Sequence, residues 1–168
     1  MSVAARWFKS LPAGMSKSFL KRGGLWVLGQ FTLMLVVAVL GMTCRTETRI
    51  LSMFLGGLIF LGASALCGIA GMAALGRKLT PFPKPTAQAE LVQNGIYSLI
   101  RHPLYTAVFC AAAGWSLIRQ SWLALAASLV LAVFFDAKAR REERWLRQQF
   151  HDYDRYAQRV RRFIPWIY

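Results

Sequence analysis

The chain has 168 residues, 56% of them hydrophobic, and a formal net charge of +14. That length fits a single domain, and a water-soluble domain of this size cannot hide so much apolar side chain. The basic residues stand in blocks beside apolar runs, which argues against a nucleic-acid-binding surface and for membrane topology.

Residues 1–24 carry Arg6, Lys9, Lys17, Lys21 and Arg22 with no acid, interleaved with Trp7, Phe8, Phe19 and Leu20. Such a segment is expected to lie on lipid headgroups. The first apolar run begins too late and is too long for a cleavable signal, so it is read as a retained anchor. That run, residues 25–42, holds no charge, and Gln30 is its most polar member. Residues 50–75 form a second uncharged run. Both are long enough to cross a hydrocarbon core about 30 Å thick. The second is rich in small residues (Gly56, Gly57, Gly62, Ala63, Ser64, Gly68 and Gly71), which let helices approach closely in lipid.

Thr80-Pro81-Phe82-Pro83-Lys84-Pro85 stops any helix and favours an extended path. Gly95 then permits a turn, residues 96–100 suit a short helix, and Pro103 suits the first turn of a third span. Residues 104–118 and 122–135 are shorter apolar runs; a helix of the first length covers about 22 Å, so flanking residues must extend it or the pair must lie shallow. The spacing predicts a tight hairpin turning at Arg119-Gln120-Ser121. After Phe135 the pattern becomes amphipathic: Leu146, Phe150, Tyr153, Ala157 and Val160 recur at steps of three and four with arginines opposite, the mark of a helix lying in the membrane interface. Trp166 and Tyr168 suit an aromatic belt.

With four crossings the blocks before the first span, between the second and third, and after the fourth share one side. Only Arg45, Arg49 and Arg119 fall opposite. The positive-inside rule makes the richer side, with both termini, cytoplasmic. The expected fold is an all-α integral membrane protein, one domain over residues 1–168, with four transmembrane helices, the last two a tight hairpin, and a C-terminal amphipathic interfacial helix. The setting is a plasma or inner membrane if the source is prokaryotic, and the partners are membrane lipids rather than nucleic acid.

Cys67 and Cys110 lie inside apolar runs and Cys44 stands alone in a loop, so neither a disulfide framework nor zinc spacing is present. No glycine-rich dinucleotide fingerprint or phosphate loop appears. The candidates for chemistry are His102, between Arg101 and Pro103 at the mouth of the third span, with Tyr97 and Tyr105 nearby, and the pair Glu142-Glu143 just past the end of the fourth apolar run. Each has an ordinary reading too: a headgroup histidine, belt tyrosines, a lipid-phosphate arginine, and helix-surface pairs such as Asp136 with Arg140 and Glu143 with Arg147. Helical phase puts Asp136, Arg140 and Glu143 on one face, and Glu142 on another with Lys138 and Leu146.

Taken in order, Leu91-Val92-x-x-Gly95-x-Tyr97, Arg101-His102-Pro103-x-Tyr105, Glu142-Glu143-x-x-Leu146 and Arg162-Phe163-Ile164-Pro165 resemble the signature of the isoprenylcysteine carboxyl methyltransferase family and its phospholipid methyltransferase relatives. The resemblance covers residues 77–165, and the size is that of a small prokaryotic-type member. It implies a methyltransferase that binds S-adenosyl-L-methionine without a Rossmann fold, at the cytosolic face, and acts on a lipophilic or lipid substrate. Carried over by motif position, it implies cofactor contacts from Ala89, Glu90, Leu91, Val92, Tyr97, His102, Pro103, Leu104, Tyr105, Glu142 and Glu143. Lys138 stands where the family has a substrate-facing arginine; with Arg101 it is the residue expected to act on the substrate. Lysine is a point charge and cannot clamp a carboxylate bidentately. Other departures are Ala107, Phe150-His151 and Val160-Arg161-Arg162. Carboxyl O-methylation is the transfer implied first, with N- or S-methylation open. Two other classes also stay open: a sterol-reductase-like NADPH-dependent membrane enzyme, and a non-catalytic membrane protein that keeps the fold.

Overall fold

In a computed structural model, residues 19, 23–46, 50–76, 79, 82 and 90–168 are described. Residues 1–18 and 20–22 of the segment expected to lie on headgroups, the proline-rich stretch apart from Phe82, and Ala89 lie outside the described residues. Within them the regular structure is helical: α1 (Gly24–Thr43), α2 (Leu51–Leu75), a short 3-10 turn (Gly95–Ser98), α3 (Pro103–Arg119), α4 (Trp122–Gln149) and α5 (Tyr153–Arg159). Three of these, α1, α2 and α4, are long and apolar enough to cross a membrane. Their outer faces stay apolar and open, as with Leu35, Ile59, Leu66 and Val133, which is what a lipid solvent permits.

Glycines set how closely α2 meets α3. A Cβ on Gly57 would lie 2.8 Å from the Gly114 carbonyl oxygen and 2.9 Å from the Ile118 nitrogen, and one on Gly114 would lie 2.8 Å from the Gly57 oxygen. These neighbours are backbone atoms and cannot swing aside. Further along, Gly71 accepts Leu104 and Pro103. Gly62, on the same helix, faces open space. Gly57→Val should therefore cost about 1–3 kcal/mol by overpacking, read as a lower melting temperature in detergent, whereas Gly62→Val should leave it unchanged. Equal melting temperatures for the two variants would refute this account of the α2–α3 contact.

Helix α1 lies against α4: the Trp26 and Phe134 rings are 5.3 Å apart. Val37, Ala112, Leu131 and Phe135 form the core where α1, α3 and α4 meet. Hydroxyls of Ser116 and Ser128 join α3 to α4 at 3.0 Å. Only Gln120 and Ser121 separate these two helices. Gln120 adopts a left-handed backbone (φ 53°), and its side-chain amide holds both backbone groups of Ile50, at 2.9 and 3.0 Å. Ser121 caps α4 by accepting from the Ala124 amide.

Two features differ from the sequence reading. Helix α4 does not stop where the apolar run stops at Phe135; it continues to Gln149, because residues 136–149 hold no glycine or proline and are rich in good helix formers. The amphipathic C-terminal segment is not one interfacial helix. It breaks at residues 150–152, and the apolar face of α5 (Tyr153 and Tyr156, with Val160 just beyond) is covered by Leu91, Leu146 and Phe150 of the chain itself. Leu91 lies against that face, so those side chains are buried in protein.

Candidate active site

The start of α3 is tied to the C-terminal tail. Ile100 pairs with Arg161 in an isolated parallel bridge, and the amides of Arg101 and His102 donate to the carbonyls of Arg161 and Arg162 at 2.8 and 3.1 Å. Thr106 adds a bond to the Phe163 carbonyl at 3.1 Å. His102 sits just before Pro103, the first residue of α3, so its ring is delivered to the side where the long α4 passes.

There the ring is buried and meets both glutamates. Nε2 lies 3.2 Å from Glu143 Oε1, and Nδ1 lies 4.0 Å from Glu142 Oε2. An ionised carboxylate only accepts, so the Nε2 proton points to Glu143. The His102 and Tyr105 rings stack at 5.2 Å and 2°, and Tyr105 stacks in turn on Phe135 at 4.9 Å. The Tyr105 hydroxyl donates to Glu142 Oε2 at 2.6 Å. Glu142 Oε1 has no hydrogen-bond partner among the described residues, and the side chain is 25% exposed.

Glu143, 1% exposed, has a different setting. Arg162 grips it with two parallel bonds of 3.0 and 3.1 Å, and Arg101 reaches it at 3.1 Å. Arg162 also donates to Asp136 at 2.9 Å, and Asp136 accepts from the Tyr168 hydroxyl at 3.0 Å. Partial burial disfavours the Arg162 charge, but its bonds to Glu143 outweigh that and hold the guanidinium above its ordinary value. Tyr97 is buried, its carbonyl accepting from the Tyr156 hydroxyl at 2.6 Å. Burial first, and the nearby Glu142 charge second, push its phenol up.

Lys138, 1% exposed, donates to Gln30 Oε1 at 2.5 Å and stands 5.0 Å over the Tyr105 ring. Thus Arg101, His102, Tyr105, Lys138, Glu142 and Glu143 come together, and Pro103 and Tyr97 are buried beside them. Leu104 points instead at Gly71 on α2. Leu91 packs on the tyrosines of α5, Val92 is half-buried, and Glu90 is exposed. Arg162, Asp136 and Gln30, noted in the sequence but not among the expected site residues, also take part. Arg162 stood in the final signature motif without a role attached to it, and the one clue to Gln30 was its polarity within an apolar run.

The Arg101 Nε and the Tyr153 hydroxyl are buried with no partner among the described residues. Beside the half-open carboxylate of Glu142 they make a set of donors and one acceptor. That set fits a ligand with an amino group and a carboxylate, such as the amino-acid end of S-adenosylmethionine.

Apolar helices long enough to span a bilayer, with a polar cluster where α3 begins and the charged end of α4 passes, describe a membrane protein with a site near one end of its helices. The profile of the phospholipid methyltransferase family matches residues 51–153. The chain belongs to that family. It is 38% identical over 82 residues to a probable protein-S-isoprenylcysteine O-methyltransferase of Oryza sativa subsp. indica, covering 48% of this chain and 43% of that one. It is 38% identical over 79 residues to the protein-S-isoprenylcysteine O-methyltransferase of Schizosaccharomyces pombe (46% and 34%). It is also 38% identical over 77 residues to a nickel-cobalt-cadmium resistance protein of Alcaligenes xylosoxydans xylosoxydans (45% and 36%). The aligned stretch thus spans less than half the length of each of these relatives.

Proposed function

We propose that the chain is an S-adenosylmethionine-dependent methyltransferase acting on a lipophilic or membrane-resident acceptor at the cytosolic face. In this reading α1, α2, α3 and α4 cross the membrane, α3 and α4 as a tight hairpin, and both termini are cytoplasmic. Carboxyl O-methylation is the transfer we favour. The observation that carries the proposal is the meeting of His102 and Tyr105 with Glu142 and Glu143, since the sections that hold them flank the apolar hairpin and are separated by about forty residues.

The cofactor supplies, when bound, a methyl group already activated on a sulfonium. The residues then have to align and to exclude water, which is where rate is gained in such a displacement. Glu142 accepts from the ligand's amino group through its open Oε1. Arg101 Nε and the Tyr153 hydroxyl serve its carboxylate. The stacked rings of His102 and Tyr105 wall the site, and Tyr105 keeps Glu142 oriented. Glu143, neutralised by Arg101 and Arg162, holds His102 in place. Lys138 offers positive charge to the acceptor's head, with the acceptor's tail among the helices.

Titration of the purified chain in detergent with S-adenosylmethionine, S-adenosylhomocysteine and NADPH tests the proposal. Micromolar binding of the first two, and none of the third, is expected. Binding of NADPH alone would point to a reductase, and binding of none to a non-catalytic protein; either result overturns the proposal.

A further inference from the structure

The tail, residues 161–168, has two sides. One faces inward: Arg162 grips Glu143 and reaches Asp136, and the Phe163 ring lies 5.8 Å from that of His102. The other faces outward: Ile164, Trp166 and Ile167 are apolar and open, the last two 84% and 75% exposed. The backbone builds the turn that presents them. The amides of Phe163 and Ile164 both donate to the Tyr168 main-chain oxygen at 2.7 Å, and Trp166 takes a left-handed backbone (φ 63°) uncommon for a bulky residue. Large apolar side chains grouped in the open outside a span mark a surface that meets a partner or a membrane.

The mooring of the turn decides between the two. The Tyr168 hydroxyl donates to Asp136 at 3.0 Å, and Arg140 and Arg162 donate to that hydroxyl at 2.9 and 3.0 Å. Asp136 is the first charge after the apolar run of α4, so it marks the depth at which hydrocarbon gives way to headgroups. It also marks a direction. Leu129, Val133, Asp136 and Arg140 recur at steps of four, three and four, which is one face of α4. Leu129 and Val133 on that face are open, as lipid-facing positions are. The turn is therefore tied to the lipid side of α4 at the level of the boundary, where tryptophan is favoured. Arg140, exposed and one turn further out, then stands at headgroup depth.

We infer that residues 164–168 form a lipid-seated clasp: Ile164, Trp166 and Ile167 insert into the phospholipid leaflet beside α4, and this seat holds the inner side of the tail, Arg162 above all, on Glu143. The tail is thereby kept on the start of α3, where the amides of Arg101 and His102 donate to the carbonyls of Arg161 and Arg162. The inference needs the membrane setting and not the methyl transfer. Two measurements on the full chain in phosphatidylcholine nanodiscs test it. In the first, fluorescence is quenched by phosphatidylcholine brominated high on its acyl chains, for wild type and for Trp166→Phe. The difference isolates Trp166, which is expected to be strongly quenched. An unquenched Trp166 overturns the inference and leaves the turn as a surface for a soluble partner. In the second, hydrogen exchange of the Arg101 and His102 amides reports how often the tail lifts. Trp166→Ser combined with Ile167→Ser should speed that exchange at least about tenfold, since the seat is lost. Trp166→Leu combined with Ile167→Leu should keep it within about twofold of wild type, because insertion needs apolar surface rather than one shape. A serine pair as protected as wild type overturns the clasp. A leucine pair as unprotected as the serine pair overturns it too, since the two side chains would then act by specific packing on protein.

Discussion

Glu142→Gln should weaken binding of S-adenosylmethionine and S-adenosylhomocysteine by roughly ten- to a hundredfold while the protein inserts and unfolds like wild type. A hydrogen bond to a charged group is worth about 1.5–3 kcal/mol, and each 1.4 kcal/mol is about tenfold in affinity. The fold should not notice the change. Glu142 is 25% exposed, and its one short bond is the one it accepts from Tyr105 at 2.6 Å; a carboxamide oxygen accepts that bond equally well. What the amide loses is the charge facing the ligand's amino group through Oε1. Glu142→Ala should go further and abolish binding, because it also frees Tyr105 to move. Calorimetric titration beside a melting curve in the same detergent separates affinity from stability. Retained micromolar affinity in either variant would remove Glu142 from the site.

What could be read before any coordinates depended on how local each signal is. Uncharged runs announce themselves, so residues 25–42 and 50–75 became α1 and α2 almost to the residue. The fourth run marked only the apolar part of α4, because a search for apolar residues stops at the first charge whereas helix propensity does not. That continuation matters, since it puts Lys138, Glu142 and Glu143 on the same rod as the apolar span. Helical phase was legible as well. Asp136 and Glu143, assigned to one face, share Arg162, while Lys138 and Glu142, assigned to another, both meet Tyr105. Contacts made by the chain folding back were not legible. Arg162 reaches Glu143 because a β-bridge docks the tail on residues 100–102; its place in the last motif marked the residue but not its partner. Gln30 needs the distant Lys138 to have meaning. The helical period of the C-terminal segment showed which side of α5 is buried, but not whether lipid or Leu91 covers it.

Adjacent glutamates in one helix should fail in opposite ways. Glu143→Ala removes the acceptor of two bonds from Arg162, one ion pair with Arg101 and one bond with His102, at a position 1% exposed. The cations stay behind: Arg101 and Arg162 are 10% and 15% exposed and have little water to turn to. Breaking a buried ion pair from one side costs about 3–5 kcal/mol, because the remaining charge is uncompensated. The variant should lose folded protein or melt well below wild type, with this loss of stability the leading effect and a fall in cofactor affinity following from the release of His102 and Arg101. Arg162→Ala should act in the same direction, since it frees Glu143 on two oxygens and Asp136 on one. The double variant decides whether the two side chains work as a unit. If they do, removing both costs clearly less than the sum of the single losses, as coupled neighbours do in a double-mutant cycle. Additive losses would mean that Arg162 and Glu143 stabilise the tail and the helix separately. The docking of residues 161–162 on the start of α3 would then rest on its backbone bonds alone, and His102 would need another restraint to hold its ring between the two glutamates.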